Sequence, residues 1–196
     1  MPLPPKRALE RGGLIVALAG IAAAGAVVLW LGFGGFDPSA TRPHGRLTFW
    51  AIHAVMITAV HHRAARIRPP AMPGPDHVVA GFRQYDAECA RCHGGPGVPR
   101  AAWADRLSPS PPFLIEEESR WTRPELFWIV CHGVKMTAMP AWGPGRSDQD
   151  LWDIVAFLRA MPYLTARQYQ DLRRAYGGRP MDAGRRGVDA ACLSSP

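Results

Sequence analysis

Charge is absent over a long stretch near the start of this chain. From Gly12 to Phe36, 25 residues, no side chain is charged. A helix over them would reach roughly 37 Å, enough to cross a bilayer core. Lysine is nearly missing as well: Lys6 and Lys135 are the only two, and arginine carries the positive charge. A basic excess is lacking in the middle of the chain. Residues 1–75 hold eight Lys or Arg against two acids, residues 76–165 nine against eleven, and residues 166–196 six against three. The net charge of +7 therefore lies outside the central segment. That argues against nucleic acid as a partner and toward a membrane surface. No clear A-x-A cleavage site follows the apolar run, and the run exceeds the length of a signal-peptide core.

What is present begins with Cys89-Ala90-Arg91-Cys92-His93. Two cysteines three apart on one helical turn can each form a thioether to one porphyrin, and the histidine after them falls beneath the iron. This C-x-x-C-H spacing points to one covalently bound haem c, with Cys89 and Cys92 as thioethers and His93 as proximal iron ligand. Two other readings use the same residues. A thioredoxin-like redox pair would want a strand–helix unit, and no alternating strand pattern is nearby. Zinc would need two more ligands, for which Cys131-His132 is the only candidate pair.

A sixth iron ligand needs a residue further along the chain. Val134-Lys135-Met136-Thr137-Ala138-Met139-Pro140-Ala141-Trp142 supplies one. A thioether is a soft donor that raises the reduction potential. Pro140 holds Met139 extended and stops any helix. Met139 is the expected distal ligand. Met136 competes with it but reads as a gap-filling core methionine, like Met56 and Met161. His77 and His132 are the histidine alternatives.

Together, Cys89–His93 and Met139-Pro140-Ala141-Trp142 resemble a class I cytochrome c, more specifically the bacterial type with an N-terminal membrane anchor. The run from Tyr85 to Gly94 and the helical pattern closing at Leu158 add to the likeness, which covers about Asp76 to Leu164. It implies a small all-α fold whose first and last helices cross, preceded here by a transmembrane helix and a short amphipathic helix. It implies single-electron carriage between redox partner proteins rather than an enzyme activity, the alternatives being a haem-bearing subunit of a larger membrane oxidoreductase complex or an open-site haem enzyme or sensor. It assigns thioethers to Cys89 and Cys92, the proximal ligand to His93 and the distal ligand to Met139. Cys131 departs from the pattern, because no free thiol is expected in that helix.

Four segments follow. Residues 1–36 are a cytoplasmic N-terminus and an uncleaved single-pass anchor, oriented by Lys6, Arg7 and Arg11, with everything after Phe36 outside. In a bacterium with two membranes the haem domain is then in the periplasm, held at the inner membrane. Residues 37–75 are a turn-rich connector, an apolar helix from Leu47 to Val60 with a basic end, and a proline-rich spacer. That helix lies on the membrane surface or on a membrane partner, a cover over part of the haem domain being the lesser alternative, and its His53, His61 and His62 read as an interfacial cluster. Residues 76–165 are the haem domain, and residues 166–196 a polar helix and a disordered tail.

Within the haem domain, Val78, Gly81, Phe82, Tyr85 and Cys89 form one face of the first helix. Gly81 marks a close helix crossing. The Gly94–Pro99 loop is expected to offer His93 a carbonyl. Glu116–Glu118 reads as a solvated charge run. Thr122–Glu125 and Ser147–Asp150 read as helix caps. Leu126, Ile129 and Val130 face inward from one helix, and Leu151, Ile154, Val155 and Leu158 from the next. Thr165–Gln168 caps a last helix. Cys192 is expected unpaired in the tail, a bond to Cys131 being the lesser alternative.

Overall fold

The structure, a computed structural model, describes residues 6–71, 74–117, 120–177 and Cys192. The chain divides into two units, residues 1–42 and 43–196. The first is built on helix α1 (Lys6–Gly32). Within it, Glu10–Gly32 is long and apolar enough to cross a membrane. Leu14, Ile15, Val16, Ile21, Val28 and Trp30 all stand exposed along it. Apolar side chains on every face of a helix are at rest in lipid or a partner, not in water.

The second unit is all helical among the described residues. Helix α2 (Arg46–Ala64) leads to α3 (Pro75–Gln84), which runs through a wide π-helical turn (Tyr85–Cys89) into α4 (Ala90–His93). A short α5 (Leu114–Glu117) precedes α6 (Arg123–His132), α7 (Asp148–Ala160) and α8 (Ala166–Tyr176).

The caps form as the sequence indicates. Glu125 accepts from the Thr122 N–H at 2.7 Å, and Thr122 and Glu125 close a capping box at the start of α6. Ser147 and Asp150 do the same for α7, and Thr165 and Gln168 for α8. Each satisfies backbone donors that a helix start leaves open.

Helices α3 and α7 cross at Gly81. A Cβ there would lie 1.8 Å from the Asp153 carbonyl oxygen and 2.9 Å from the Phe157 Cβ. Only a hydrogen fits, so this glycine's helix cost of about 1 kcal/mol is offset by the approach it allows. The α7 face is buried at Leu151, Ile154, Val155 and Leu158 as expected, and Phe157 joins it. On α6 the buried apolar residues are Leu126, Phe127, Val130 and Cys131, whereas Ile129 is only half buried. Phe127 stacks on Trp152 of α7 with centroids 4.2 Å apart, which draws it inward in place of Ile129.

The core extends past the expected end of the haem domain. Tyr169 of α8 is wholly buried, edge-on to Phe82 at 5.7 Å and tilted against Phe157. Cys192 is not free: it forms a disulfide with Cys131 and joins the same core. The remaining tail residues, Gly178 and Glu118 lie outside the described residues.

Helix α2 buries Val60 and Ala64 near its C-terminal end, where it packs on α6. His61 also contacts the buried Glu125 carboxylate. The opposite end of α2 leaves Leu47, Phe49, Trp50, Ile52 and Val55 exposed.

Candidate functional site

Cys89 closes the π-helical turn, and Cys92 and His93 lie on the single turn of α4 that follows. Such widened turns recur at functional sites because they re-aim side chains along one helix. Here the turn is held by the Tyr85 hydroxyl, which donates to the Gly94 carbonyl at 2.7 Å. Gly94 and Gly97 take positive φ, and Gly95 pairs with Val98 to close the loop beyond.

Both motif cysteines are free and half buried. Burial, followed by the Glu88 charge, pushes the Cys89 thiol up to about 12. A thiol held neutral is a poor thioredoxin-type nucleophile. The zinc reading loses its extra ligands too. Cys131 is bonded to Cys192, and among the described residues the group of three or more donors within 4.8 Å of one another is Cys131, His132 and Cys192, which includes neither motif cysteine.

The His93 Nδ1–H donates to the Pro112 carbonyl at 2.8 Å. The expected acceptor in the Gly94–Pro99 loop is therefore corrected: the carbonyl comes from the proline-rich wrap 19 residues on. That wrap is tied down by Arg100, whose guanidinium donates to the Pro111 carbonyl and lies over Phe113. Burial lowers the His93 pKa against the opposing pull of the Pro112 bond, so the ring is neutral, with Nε2 free to ligate.

Met139 is half buried in a loop hung from the end of α6. Its N–H donates to the Thr137 hydroxyl at 3.1 Å, and its carbonyl accepts from Val134 at 3.3 Å. Gly133 has φ 64°, and a Cβ there would meet the Pro140 backbone at 2.6 Å, so a glycine is required at that corner. Met136 is 85 % exposed at a positive φ of 62°, which corrects its reading as a core filler. Met161 is fully buried, as expected. The two rival histidines have partners of their own: His77 Nδ1 is 2.8 Å from Asp153 Oδ1, and the His132 ring is tilted against Trp128 with centroids 4.6 Å apart.

Arg146 was not flagged by any motif, yet it joins the two halves of the site. It donates to Gln84 at 2.8 Å, pairs with Glu88 beside Cys89, and lies over Trp142 at 5.2 Å. It thus ties the methionine loop to the helix bearing the cysteines. A lone arginine in a glycine-rich loop carries no periodicity that could have revealed this.

A porphyrin fits these residues. Two free cysteine thiols, an imidazole with Nδ1 already committed and a thioether are the donors haem vinyl groups and iron take. Trp103 and Phe113 are left largely exposed, and Trp142 and Leu114 only half covered. That is apolar surface a bound macrocycle would shield.

The fold and donor set define a haem-binding, all-helical electron-transfer domain. Residues 76–158 match the family described as Cytochrome C oxidase, cbb3-type, subunit III, and this segment is a class I c-type cytochrome domain. No curated protein and no solved structure was found to match the chain.

Proposed function

We propose that the protein is a membrane-anchored, mono-haem c-type cytochrome that passes single electrons between periplasmic or membrane redox partners. The observation that carries this is the His93 geometry: C-x-x-C-H running from the π-helical turn into α4, with Nδ1–H committed to Pro112 and Nε2 left for iron. Cys89 and Cys92 would hold the haem through thioethers, with His93 proximal and Met139 distal. Haem, when bound, supplies a one-electron iron couple. The chain's own residues orient the imidazole through Pro112 and fix the loop that would present the Met139 thioether. If His93 and Met139 both ligate, no open site would remain for substrate, which favours electron carriage over an enzyme.

Helix α1 would be the anchor, with the haem domain on the outer face of the inner membrane. The projecting end of α2, with Phe49 and Trp50, would lie in the lipid interface.

A second reading makes the chain the haem subunit of a larger membrane oxidoreductase. The printed description of the matched family names an oxidase subunit, and the exposed apolar end of α2 would then be a subunit contact.

The deciding test of the haem reading is the visible spectrum of oxidised and reduced protein, with carbon monoxide added to the reduced form. A low-spin c-type spectrum unmoved by carbon monoxide, with a sulfur-to-iron charge-transfer band that Met139→Ala abolishes, is expected. Rapid carbon monoxide binding by the unmodified protein would overturn the closed-site reading.

A further inference from the structure

We propose that the Cys131–Cys192 disulfide is a redox-sensitive positioning clamp for the distal-ligand loop, and that its reduction by a dithiol loosens Met139. The inference rests on the reading of Met139 as the distal iron ligand.

Cys131 sits in the last turn of α6, and the methionine loop hangs from that turn. A helix end leaves carbonyls without partners inside the helix. The Val130 carbonyl accepts from the Trp142 N–H at 3.1 Å, and the Cys131 carbonyl accepts from the Gly143 N–H at 2.9 Å. Two residues on, Gly133 packs against the Pro140 backbone. Both the start and the end of the loop are thus referred to the backbone of Cys131 and its neighbours. A displacement of this turn is passed directly to Met139.

The disulfide fixes that turn from outside its own helix. It joins residues 61 apart in sequence, and both sulfurs belong to the packed core. Their bond occupies two donors that, with His132, lie within 4.8 Å of one another. A core position filled by an ordinary apolar residue would pack without this link. The bond makes the hold on the loop conditional on the thiol state.

The chemistry is thiol–disulfide exchange. Both cysteines are buried, but Cys192 keeps 8 % of its surface exposed against 0 % for Cys131 and is therefore the one an incoming dithiol would attack. One thiolate of the dithiol attacks Cys192 Sγ, the bond to Cys131 breaks, and Cys131 leaves as a thiolate and takes a proton. The second thiol then resolves the mixed disulfide. Cys192 is released as a thiol and the reductant as its own disulfide, so two electrons and two protons pass to the chain.

The test uses the full-length, haem-loaded protein. Carbon monoxide binding to the ferrous form and the charge-transfer band of the ferric form are recorded in three states. These are the disulfide-bonded protein, the same sample after phosphine reduction and maleimide capping, and Cys192→Ser. An anaerobic dithiol sample without the cap separates loss of the bond from bulk of the cap. Opening the disulfide is expected to speed carbon monoxide binding about tenfold and to weaken the band. An unchanged rate and band in the uncapped dithiol and in Cys192→Ser would overturn the clamp. Should Cys192→Ser fail to acquire haem, the chemically reduced sample, loaded beforehand, decides. A disulfide-bonded protein that lacks the band and binds carbon monoxide at once would instead remove Met139 as a ligand, and the clamp with it, before any thiol is touched.

Discussion

At the scale of single residues, the site depends on groups whose surroundings leave them one option. Gly81 is such a group, since the Asp153 carbonyl occupies the place of any Cβ. Gly81→Ala is expected to force α3 and α7 apart and to cost about 2–3 kcal/mol, read as a lowered thermal midpoint by circular dichroism. An unchanged midpoint would mean the crossing is not close in solution. Glu125 is the second case. Burial alone would raise its pKa, but the Thr122 N–H and hydroxyl and the contact with His61 outweigh this and hold it below the ordinary 4.5. A carboxyl with a depressed folded pKa stabilises the fold above its unfolded pKa, and that contribution is lost as pH falls through the folded value. Stability should therefore decline below about pH 4.5 in the native chain. Glu125→Gln should flatten that decline while lowering stability at neutral pH, as followed by denaturant titration at several pH values. A pH profile that the substitution leaves untouched would assign the acid sensitivity elsewhere.

At the scale of elements, the helices were legible in the sequence wherever their signals are local. The boxes at Thr122, Ser147 and Thr165 and the four-residue face of α7 formed as their patterns indicate. Each rests on residues within one or two turns. Ser147 receives the Asp150 N–H at 3.2 Å and donates to its carboxylate at 2.6 Å. Ser147→Ala is expected to cost about 1 kcal/mol, measured by denaturant titration. The haem spectrum should stay unchanged if the cap serves α7 alone. What stayed hidden depends on partners far along the chain. The Pro112 carbonyl reaches His93 because the proline-rich wrap folds back over α4, and nothing in the spacing of prolines says which carbonyl arrives. Phe127 displaces Ile129 from the core because Trp152 is its stacking partner. Tyr169 is drawn into the core from a helix whose composition is otherwise polar. Cys192 pairs with a thiol 61 residues away, and a tail without apolar periodicity gives no sign of it.

At the scale of the whole molecule, several large apolar side chains around the motif are incompletely covered in the haem-bearing unit. Val98, Leu114, Trp121 and Trp142 are only partly buried at the margin of the core. A small domain of this kind buries a limited fraction of its chain, so a prosthetic group that covers such side chains becomes part of the core. On the proposed ligand set, thioethers would make that contribution permanent, whereas a chain unable to form them would have to retain haem through His93 and Met139 alone. A Cys89→Ser/Cys92→Ser double variant is therefore expected to be largely unfolded when expressed without haem, with most of its helical circular dichroism from residues 76–165 lost. Helix α1 complicates this readout, because as the proposed bilayer anchor it would keep its signal whether or not the haem domain folds. The discriminating measurement is accordingly amide hydrogen exchange in α3 and α7, whose contact at Gly81 exists only in the folded domain. Protection there in the haem-free variant would show that the crossing of α3 and α7, with the aromatic cluster of Phe82, Phe157 and Tyr169, suffices to hold the fold. The porphyrin would then act as a guest in a preformed site rather than as a part of the core.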